Sequence, residues 1–329
     1  MSGLRHSAVS TAIASVLLTS TAVLADDVRF SSFTPLSSSA PPNAYEGMPL
    51  IFGNPDLEQR TIIRRNSQLD DLKPSSGNFD MNTVNETGSE RGRYLFNVFE
   101  TGTSGVQRHD LETGDTDTIW QVPATETAAR FDPSTWTPWG TLITGEENWG
   151  CADSVCGRLF ELKNPLTAPP IYEPVDASSN TGADMAHQNV IPRASHEGLQ
   201  LDGDGNLYFV DELNGGCIYK YTPKASYSQI ITGHADYFAA GQSFVLRVGD
   251  GSTPNATGAY TWIALTDING TGLPGTILVT DANGTTSVDG RSSADIPAFK
   301  CTDYQRPEDA QIQTIRGRQY LYVNATCGC

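Results

Sequence analysis

Short apolar runs that stop on acidic residues recur along this chain. Their alternating or continuous apolar residues, bounded by turn-forming residues, are typical of β-strands. One acidic strand end is ordinary, but carboxylates that gather in one place repel one another unless cations lie between them. The pattern therefore predicts a fold built around bound metal. The acidic ends are Glu100, Glu146 with Glu147, Asp211 with Glu212, and Asp281.

From Arg91 onward, the apolar runs are separated by Gly, Asn, Asp and Pro, and no long helical periodicity occurs. The strand at Tyr94 and the strand at Thr141 are 47 residues apart, and repeats of about 40 to 50 residues with four strands each are typical of a β-propeller. The innermost strands of a propeller line its channel, so we expect the acid-ended strands to be innermost. We predict an all-β protein with a β-propeller architecture, and a β-sandwich is the alternative.

The N-terminal part of the chain differs from the rest. Residues 1–25 contain Arg5, then a run of apolar and small residues that ends in Val-Leu-Ala, which predicts a cleaved secretory signal peptide and export. Residues 26–88 are rich in Ser, Pro and Asn, so we expect an irregular segment that contributes a strand or a turn of helix. Residues 89–329 would then form the propeller domain.

The charge is strongly acidic, with 21 Lys and Arg against 38 Asp and Glu and a formal net charge of -17. Such a surface argues against nucleic acid and anionic lipid as partners and suits cation binding. No stretch after the signal is apolar enough to span a bilayer, so we expect no membrane anchor and a monomeric protein.

Six cysteines are present, and an exported chain can oxidise them. We expect Cys151 to pair with Cys156, and one or two further disulfides, rather than zinc ligation. The cysteines are at positions 151, 156, 217, 301, 327 and 329.

Three segments carry candidate chemistry. Glu146, Glu147 and Asn148 offer consecutive hard oxygen ligands of the kind that Ca²⁺ takes. His196 beside Glu197 suggests either a metal pair or a base with an orienting acid. The sequence Asp-Gly-Asp-Gly-Asn at 202–206 resembles the start of a calcium loop but is more often a tight hairpin turn.

The third segment is Arg306-Pro-Glu308. Arg306 could hold a phosphate or carboxylate in a bidentate manner while Glu308 binds metal, or the two could form a surface ion pair. Asp281 is followed by Ala-Asn-Gly, which a hairpin turn explains.

Taken in order, these segments resemble the PhoX-type alkaline phosphatases over roughly residues 90 to 320. The resemblance implies a six-bladed exported propeller whose channel holds iron and calcium and hydrolyses phosphate monoesters. Arg306 would contact the phosphate, and the ester itself would be a small molecule. The implied metal ligands are Glu100, Glu146, Glu147, Glu197, Asp211, Glu212 and Glu308. The matching segments are RGRYLFNVFETG, WTPWGTLITGEENWG, ASHEGLQLDGDGNLYFVDE with IYKYTP, and RPEDAQI.

The chain departs from the family at Gly145, where the family phosphatases commonly have a cysteine whose thiolate can bind Fe³⁺. Glycine offers no ligand, so calcium is favoured over iron as the cofactor. The chain also ends just after the RPE strand, so a closing strand is either missing or supplied by the N-terminal segment.

Three functions compete. The first is a secreted hydrolase of the PhoX kind, which WTPWGTLITGEEN and RPED favour. The second is a calcium-dependent lactonase of the gluconolactonase type, because HEGLQLDGDGNLYFVDE also resembles a blade of those propellers. The third is a non-catalytic, calcium-stabilised propeller, which Gly145 favours.

Overall fold

Alternating apolar and polar residues, separated by tight turns, form almost all of the regular structure as β-strands. Residues 62–329 form one compact unit, to which every element below belongs. The computed structural model describes residues 78–326 apart from 101–103, 123–129, 148–155, 172–181 and 282–283, together with residues 38, 57 and 59–63. The predicted signal peptide lies outside the described residues. So do three cysteines, Cys151, Cys327 and Cys329, and the candidate calcium ligand Asn148.

The first sheet has four antiparallel strands in chain order, and it contains the first acid-ended run as its second strand. Its strand β1 comes from the segment 26–88, which was expected to contribute a strand. The strands are β1 (Phe79–Val84), β2 (Tyr94–Phe99), β3 (Gly105–Asp110) and β4 (Thr116–Gln121).

The second sheet has the same order and direction. Its first turn is closed by the Thr137 hydroxyl, which accepts a hydrogen bond from the backbone N–H of Thr141 at 2.8 Å, and Gly140 supplies the positive φ of 90° that the turn needs. The strands are β5 (Phe131–Trp136), β6 (Leu142–Glu146), β7 (Leu159–Leu162) and β8 (Met185–His187).

The third sheet has five strands. The segment Asp-Gly-Asp-Gly-Asn forms the predicted hairpin turn between its first two strands, because the Asp202 carboxylate accepts hydrogen bonds from the backbone N–H groups of Asp204 and Asn206 at 2.9 and 2.8 Å. A short strand, β11 (Asn214–Gly216), leaves this sheet and pairs elsewhere. The five strands are β9 (His196–Leu201), β10 (Leu207–Asp211), β12 (Ile218–Pro223), β13 (Gly241–Val248) and β14 (Tyr260–Ala264).

Three two-stranded pairs and two short helices complete the described structure. Asp281 closes the turn of one pair, as predicted, by accepting a hydrogen bond from the Thr285 N–H at 3.0 Å. The pairs are β11 with β17 (Tyr304–Gln305), β15 (Leu278–Thr280) with β16 (Thr286–Val288), and β18 (Pro307–Ile315) with β19 (Arg318–Ala325). The helices are α1 (Tyr227–Ile231) and α2 (Gly290–Ala294).

The first strands of successive sheets lie side by side, with β1 next to β5, β5 next to β9, and β9 next to β18. This is the arrangement of blades around the channel of a β-propeller, so the predicted all-β propeller class is confirmed. The number of six blades stays a prediction. One expectation was wrong: the acid-ended strands β2, β6 and β10 are the second strands of their sheets and not the innermost ones.

Aromatic residues dominate the core between the first two sheets. Trp120 and Phe131 stack with ring centroids 5.3 Å apart, and Phe96 and Trp136 stack at 5.6 Å. A second core lies around the third sheet, where Phe209 and Tyr219 stack at 4.9 Å. Both cores hold the inner strands in fixed positions.

A disulfide joins Cys217, just before β12, to Cys301, which lies between α2 and β17. Cys156 is also disulfide-bonded. No helix in the described part of the chain is long and apolar enough to cross a membrane.

Candidate functional site

Each of the four inner strands carries an acidic residue at its second position. These residues are Asp80 in β1, Asp132 in β5, Glu197 in β9 and Glu308 in β18. In every case the pairing with the second strand shifts by one residue at or just after the acid, which is a β-bulge on the inner strand. Bulges re-aim side chains and are frequent next to active sites. The same local device therefore turns four carboxylates from four different sheets toward one region.

A second set of residues follows the ends of the neighbouring strands β2, β6, β10 and β19. Each donates its backbone N–H to the carbonyl of the residue immediately before an inner strand, at distances of 2.7 to 3.1 Å. This repeated hydrogen bond makes the four positions structurally equivalent. The pairs are Glu100 with Asn78, Glu147 with Arg130, Glu212 with Ser195, and Thr326 with Arg306.

Together these positions form a carboxylate cluster at one end of the inner strands. The Asp132 carboxyl lies within hydrogen-bonding reach of those of Asp80 and Glu197, and the Glu147 carboxyl lies within reach of that of Glu212. Glu212 in turn interacts with Glu308. The members of the carboxylate cluster are Asp80, Glu100, Asp132, Glu147, Glu197, Glu212 and Glu308.

Burial disfavours the ionised form of Asp80, Asp132, Glu147, Glu197 and Glu308, and nearby carboxylates add to the effect. Burial is the largest cause for each of these five, and it raises the pKa of Glu147 to about 9 and that of Glu197 to about 8. Asp132 is only 5% exposed, and burial together with Glu197 and Asp80 raises its pKa far above the ordinary value. Asp132, Glu147 and Glu197 therefore favour their protonated forms at neutral pH unless positive charge is brought to them.

Arg306 is the cation of this site. Its guanidinium donates from Nη2 to Oε1 of Glu212, and this bond raises the pKa of Arg306. Arg306 has a φ of 43°, in the left-handed region that non-glycine residues seldom adopt. Its carbonyl is held by the N–H of Thr326 at 2.9 Å, and the Thr326 hydroxyl donates to Glu308 at 3.0 Å.

Gly198 allows β9 and β18 to approach closely. Its φ is 44°, and a Cβ atom there would lie 2.6 Å from the backbone nitrogen of Ala310 and 2.8 Å from the carbonyl oxygen of Glu308. Only glycine fits this position without moving backbone. The approach is what places Glu197 and Glu308 in the same cluster.

Two predicted ligands, Glu146 and Asp211, do not lie in the cluster. Successive strand residues point to opposite faces, so when Glu147 and Glu212 face the centre, the residues before them face away. Glu146 instead pairs with Arg158, whose Nη2 lies 2.7 Å from Oε1. Asp211 pairs with Arg291, whose Nε lies 3.3 Å from Oδ2.

Sequence reasoning missed Asp80 and Asp132. A signal was available, because Phe-Asp-Met-Asn and Phe-Asp-Pro-Ser have the same form as His-Glu-Gly-Leu: the acid follows an aromatic ring at the start of a strand. Pro133, next to Asp132, also argues for a bulge or an edge strand rather than a central one.

His196 does not join Glu197 in the cluster. Its ring is fully buried and lies 5.1 Å from that of Phe209, and burial lowers its pKa to about 3. A Cβ atom at Gly145 would lie 2.6 Å from Cβ of His196. A larger residue at Gly145 would therefore have to displace His196, and the position contributes no ligand.

The donor set fits a hard divalent cation such as Ca²⁺, which prefers carboxylate oxygens. Oδ1 of Asp132 is buried and accepts no hydrogen bond from any described residue, so it is available as a ligand. The set does not fit thiolate-bound iron, because Gly145 carries no sulfur.

The carboxylate oxygens of the cluster are widely spaced around any single point. No three of its members bring one oxygen each within 4.8 Å of one another; among the described residues, that spacing occurs only for Cys217, Cys301 and Asp303. Those two cysteines are bonded to each other. Among the described residues, the cluster therefore contains no group of three carboxylates already spaced to share one ion.

The fold and the cluster define a class: an all-β, propeller-type protein whose inner strands bring carboxylates together at one end. Residues 134–329 match the sequence profile of the family "Alkaline phosphatase PhoX". The chain belongs to the PhoX alkaline phosphatase family. The matched region begins within β5, contains β6 to β19, and includes four of the seven cluster members: Glu147, Glu197, Glu212 and Glu308.

No curated protein matches the sequence at a significant level. Among solved structures, "Pseudomonas fluorescens PhoX in complex with vanadate, a transition state analogue" is similar, with a TM-score of 0.47 and 14% sequence identity. The similar region covers 71% of this chain and 56% of that protein. This chain thus spans little more than half of the length of that relative.

Proposed function

We propose that this chain is a calcium-dependent phosphomonoesterase that hydrolyses small phosphate esters at the carboxylate cluster. The observation that carries the proposal is the convergence of seven carboxylates and one arginine from four separate sheets. A fold gains no stability from gathering buried carboxylates that repel one another, so their convergence indicates a ligand-binding role. Membership of the family supports phosphate esters as the substrate class.

Arg306 would bind the substrate. Its guanidinium can donate two parallel hydrogen bonds to phosphoryl oxygens, and it is partly exposed at the edge of the cluster. Binding an ester would require Arg306 to exchange its contact with Glu212 for one with phosphate. The backbone φ of 43° at Arg306 sets the direction in which its side chain leaves the backbone.

The cluster carboxylates would hold the cation. Asp132, Glu147, Glu197 and Glu212 are the most buried members, at 2 to 6% exposed, and we propose them as the principal ligands, with the others completing the shell. Bound Ca²⁺ would neutralise the carboxylates and polarise the phosphoryl oxygens as a Lewis acid. The predicted signal peptide supports a further proposal, that the protein acts after export.

Hydrolysis of p-nitrophenyl phosphate by the purified chain, with and without Ca²⁺, tests the function. We expect hydrolysis that requires Ca²⁺ and is lost in Glu197→Ala and in Glu197→Gln. The matched control is Glu112→Ala, because the Glu112 side chain is 70% exposed, follows β3 and is not a member of the cluster. Hydrolysis that survives in both Glu197 variants would contradict the proposal.

A second candidate is a non-catalytic calcium-binding propeller. The packing of His196 against Gly145 favours it, because this contact leaves no room for a metal-binding side chain there. Metal analysis separates the two candidates: bound calcium without ester hydrolysis, even with iron supplied, would favour the non-catalytic protein.

A further inference from the structure

Two carboxylates lie just outside the cluster and are at least as buried as its most buried members. Glu146 is the last residue of β6 and Asp211 the last residue of β10, and their exposed fractions are 0% and 1%. They are equivalent to each other, because each is paired across the sheet with the residue immediately before a cluster acid. Neither has a role in the proposed cation shell.

Asp211 holds the start of β9. Its Oδ1 accepts a hydrogen bond from the backbone N–H of Ser195 at 2.8 Å, and the carbonyl of Ser195 accepts one from the N–H of Glu212 at 2.9 Å. Arg291 from α2 holds the other oxygen of Asp211 at 3.3 Å. The buried carboxylate of Asp211 thus fixes the backbone at Ser195, which precedes Glu197 by two residues and hydrogen-bonds to Glu212.

Glu146 holds the end of β6 in a similar way. Its Oε2 accepts a hydrogen bond from the backbone N–H of Arg158 at 2.8 Å, and its Oε1 accepts one from Nη2 of the same residue at 2.7 Å. The backbone N–H of Glu146 also donates to the carbonyl of Arg158 at 2.9 Å. The next residue along the chain is Glu147.

The strand geometry alone does not require an acid at this position. In the first sheet the equivalent residue is Phe99, which packs against the ring of Phe79 at 5.5 Å. An apolar contact therefore suffices to end the second strand in that sheet. The use of arginine-held carboxylates in the second and third sheets calls for a different explanation.

We propose that Glu146 and Asp211 are positioning residues. Asp211 orients Glu197 and Glu212 for cation binding through its hydrogen bond to the Ser195 backbone, and Glu146 orients Glu147 through its hydrogen bonds to Arg158. The inference rests on the proposed function, since it concerns the same cation. Residues that orient ligands without touching the metal typically change metal affinity by about 10- to 100-fold when they are removed.

Calorimetric titration of the full chain with Ca²⁺ tests the inference. We expect Asp211→Ala to weaken Ca²⁺ binding by about 10- to 100-fold. Asp211→Asn keeps an acceptor for the Ser195 N–H but loses the charge facing Arg291, so its affinity should lie between those of the wild type and Asp211→Ala. Glu146→Gln should behave like Asp211→Asn, and both isosteric variants give a result even if the alanine variant does not fold.

The matched control is Asp110→Ala. Asp110 is also a carboxylate held by an arginine, Arg93 at 2.6 Å, and it also accepts a backbone N–H, that of Glu112 at 2.9 Å. It lies at the end of β3 opposite Tyr94, at the far end of the first sheet from Glu100. We expect this variant to lose stability but to keep the wild-type affinity for Ca²⁺.

Equal Ca²⁺ affinity in the wild type, Asp211→Asn and Glu146→Gln would overturn the inference, as would an equal loss in the Asp110 control. A wild-type chain that binds Ca²⁺ but hydrolyses no ester would contradict the phosphatase proposal alone and leave the positioning roles standing. A wild-type chain that binds no Ca²⁺ would contradict both.

Discussion

At the end of β6, two neighbouring glutamates occupy opposite environments. Glu146 is buried against the guanidinium of Arg158, whereas Glu147 is buried among other carboxylates, which together with burial raise its pKa to about 9. The two side chains have the same chemistry and nearly the same exposure, at 0% and 6%. The alternation of the strand decides which of them stabilises the fold and which is available to a ligand.

The same contrast recurs at the end of β10, where Asp211 is held by Arg291 and Glu212 faces the cluster. The protein therefore has two layers of buried acid around its centre. Each outer carboxylate faces an arginine, whereas the inner carboxylates face one another and Arg306. The inner layer is expected to cost stability in the absence of cations, and the outer layer is expected to supply it.

Glu146→Ala should give the largest effect on stability. Removing one partner of a buried ion pair leaves the other charge uncompensated, so we expect the free energy of unfolding to fall by about 3 kcal/mol or more. Urea unfolding in the presence of a chelator measures this. Glu112→Ala, which removes an exposed partner of Arg93 at 3.6 Å, should cost less than about 1 kcal/mol, and equal losses would contradict the two-layer distinction.

The pH dependence of stability should show the inner layer. The pKa values of Glu147 and Glu197, about 9 and about 8, lie above their ordinary value of 4.5, so the folded chain binds these protons more tightly than the unfolded chain does. Their contribution is fully present below pH 4.5 and is lost as the pH rises toward 8 and 9. With chelator present, we therefore expect unfolding to become progressively easier between pH 5 and pH 9.

Calcium should reverse this trend, because a cation binds the ionised carboxylates. We expect the affinity for Ca²⁺ to rise over the same pH range, as protons stop competing for the ligands. Thermal unfolding at several pH values, with chelator or with Ca²⁺, measures both effects. A stability in chelator that does not change with pH would show that the inner carboxylates are not forced together.

Asp132→Asn should give the smallest change in stability. Burial raises the pKa of Asp132 far above its ordinary value, so this group is already uncharged in chelator, and the amide of the same size should change the free energy of unfolding by less than about 1 kcal/mol. The same variant should lose most of the stabilisation by Ca²⁺. Destabilisation in chelator would place Asp132 among the supporting residues instead.

The strands and several cluster residues were predictable from the sequence because both depend on local patterns. The runs ending at Phe99, Glu146 and Asp211 are short and mostly apolar and are bounded by turns, and they form β2, β6 and β10. Glu147 and Glu212 were predicted together with their neighbours. The sequence could not separate the members of each pair, because a shift of one residue in pairing reverses the faces of a strand.

The convergence of the inner strands was not predictable in detail. Asp80 lies in a segment that is rich in polar residues and expected to be irregular, and Asp132 follows a region with little pattern. Their roles depend on the packing of β1 beside β5 and of β5 beside β9, which brings together residues more than 50 positions apart. The local sequence can indicate a bulge at each acid, but it does not indicate which residue of another sheet the acid will face.

The disulfide between Cys217 and Cys301 has a consequence for assembly. Strand β11 lies between Glu212 and Cys217 in the chain, and strand β17 lies between Cys301 and Arg306. These two short strands pair with each other, and the disulfide joins the two cysteines beside them. The covalent link therefore clamps the corner where Arg306 meets Glu212. In a compartment that keeps thiols reduced, this corner would lack the covalent link and would depend on the pairing of β11 with β17.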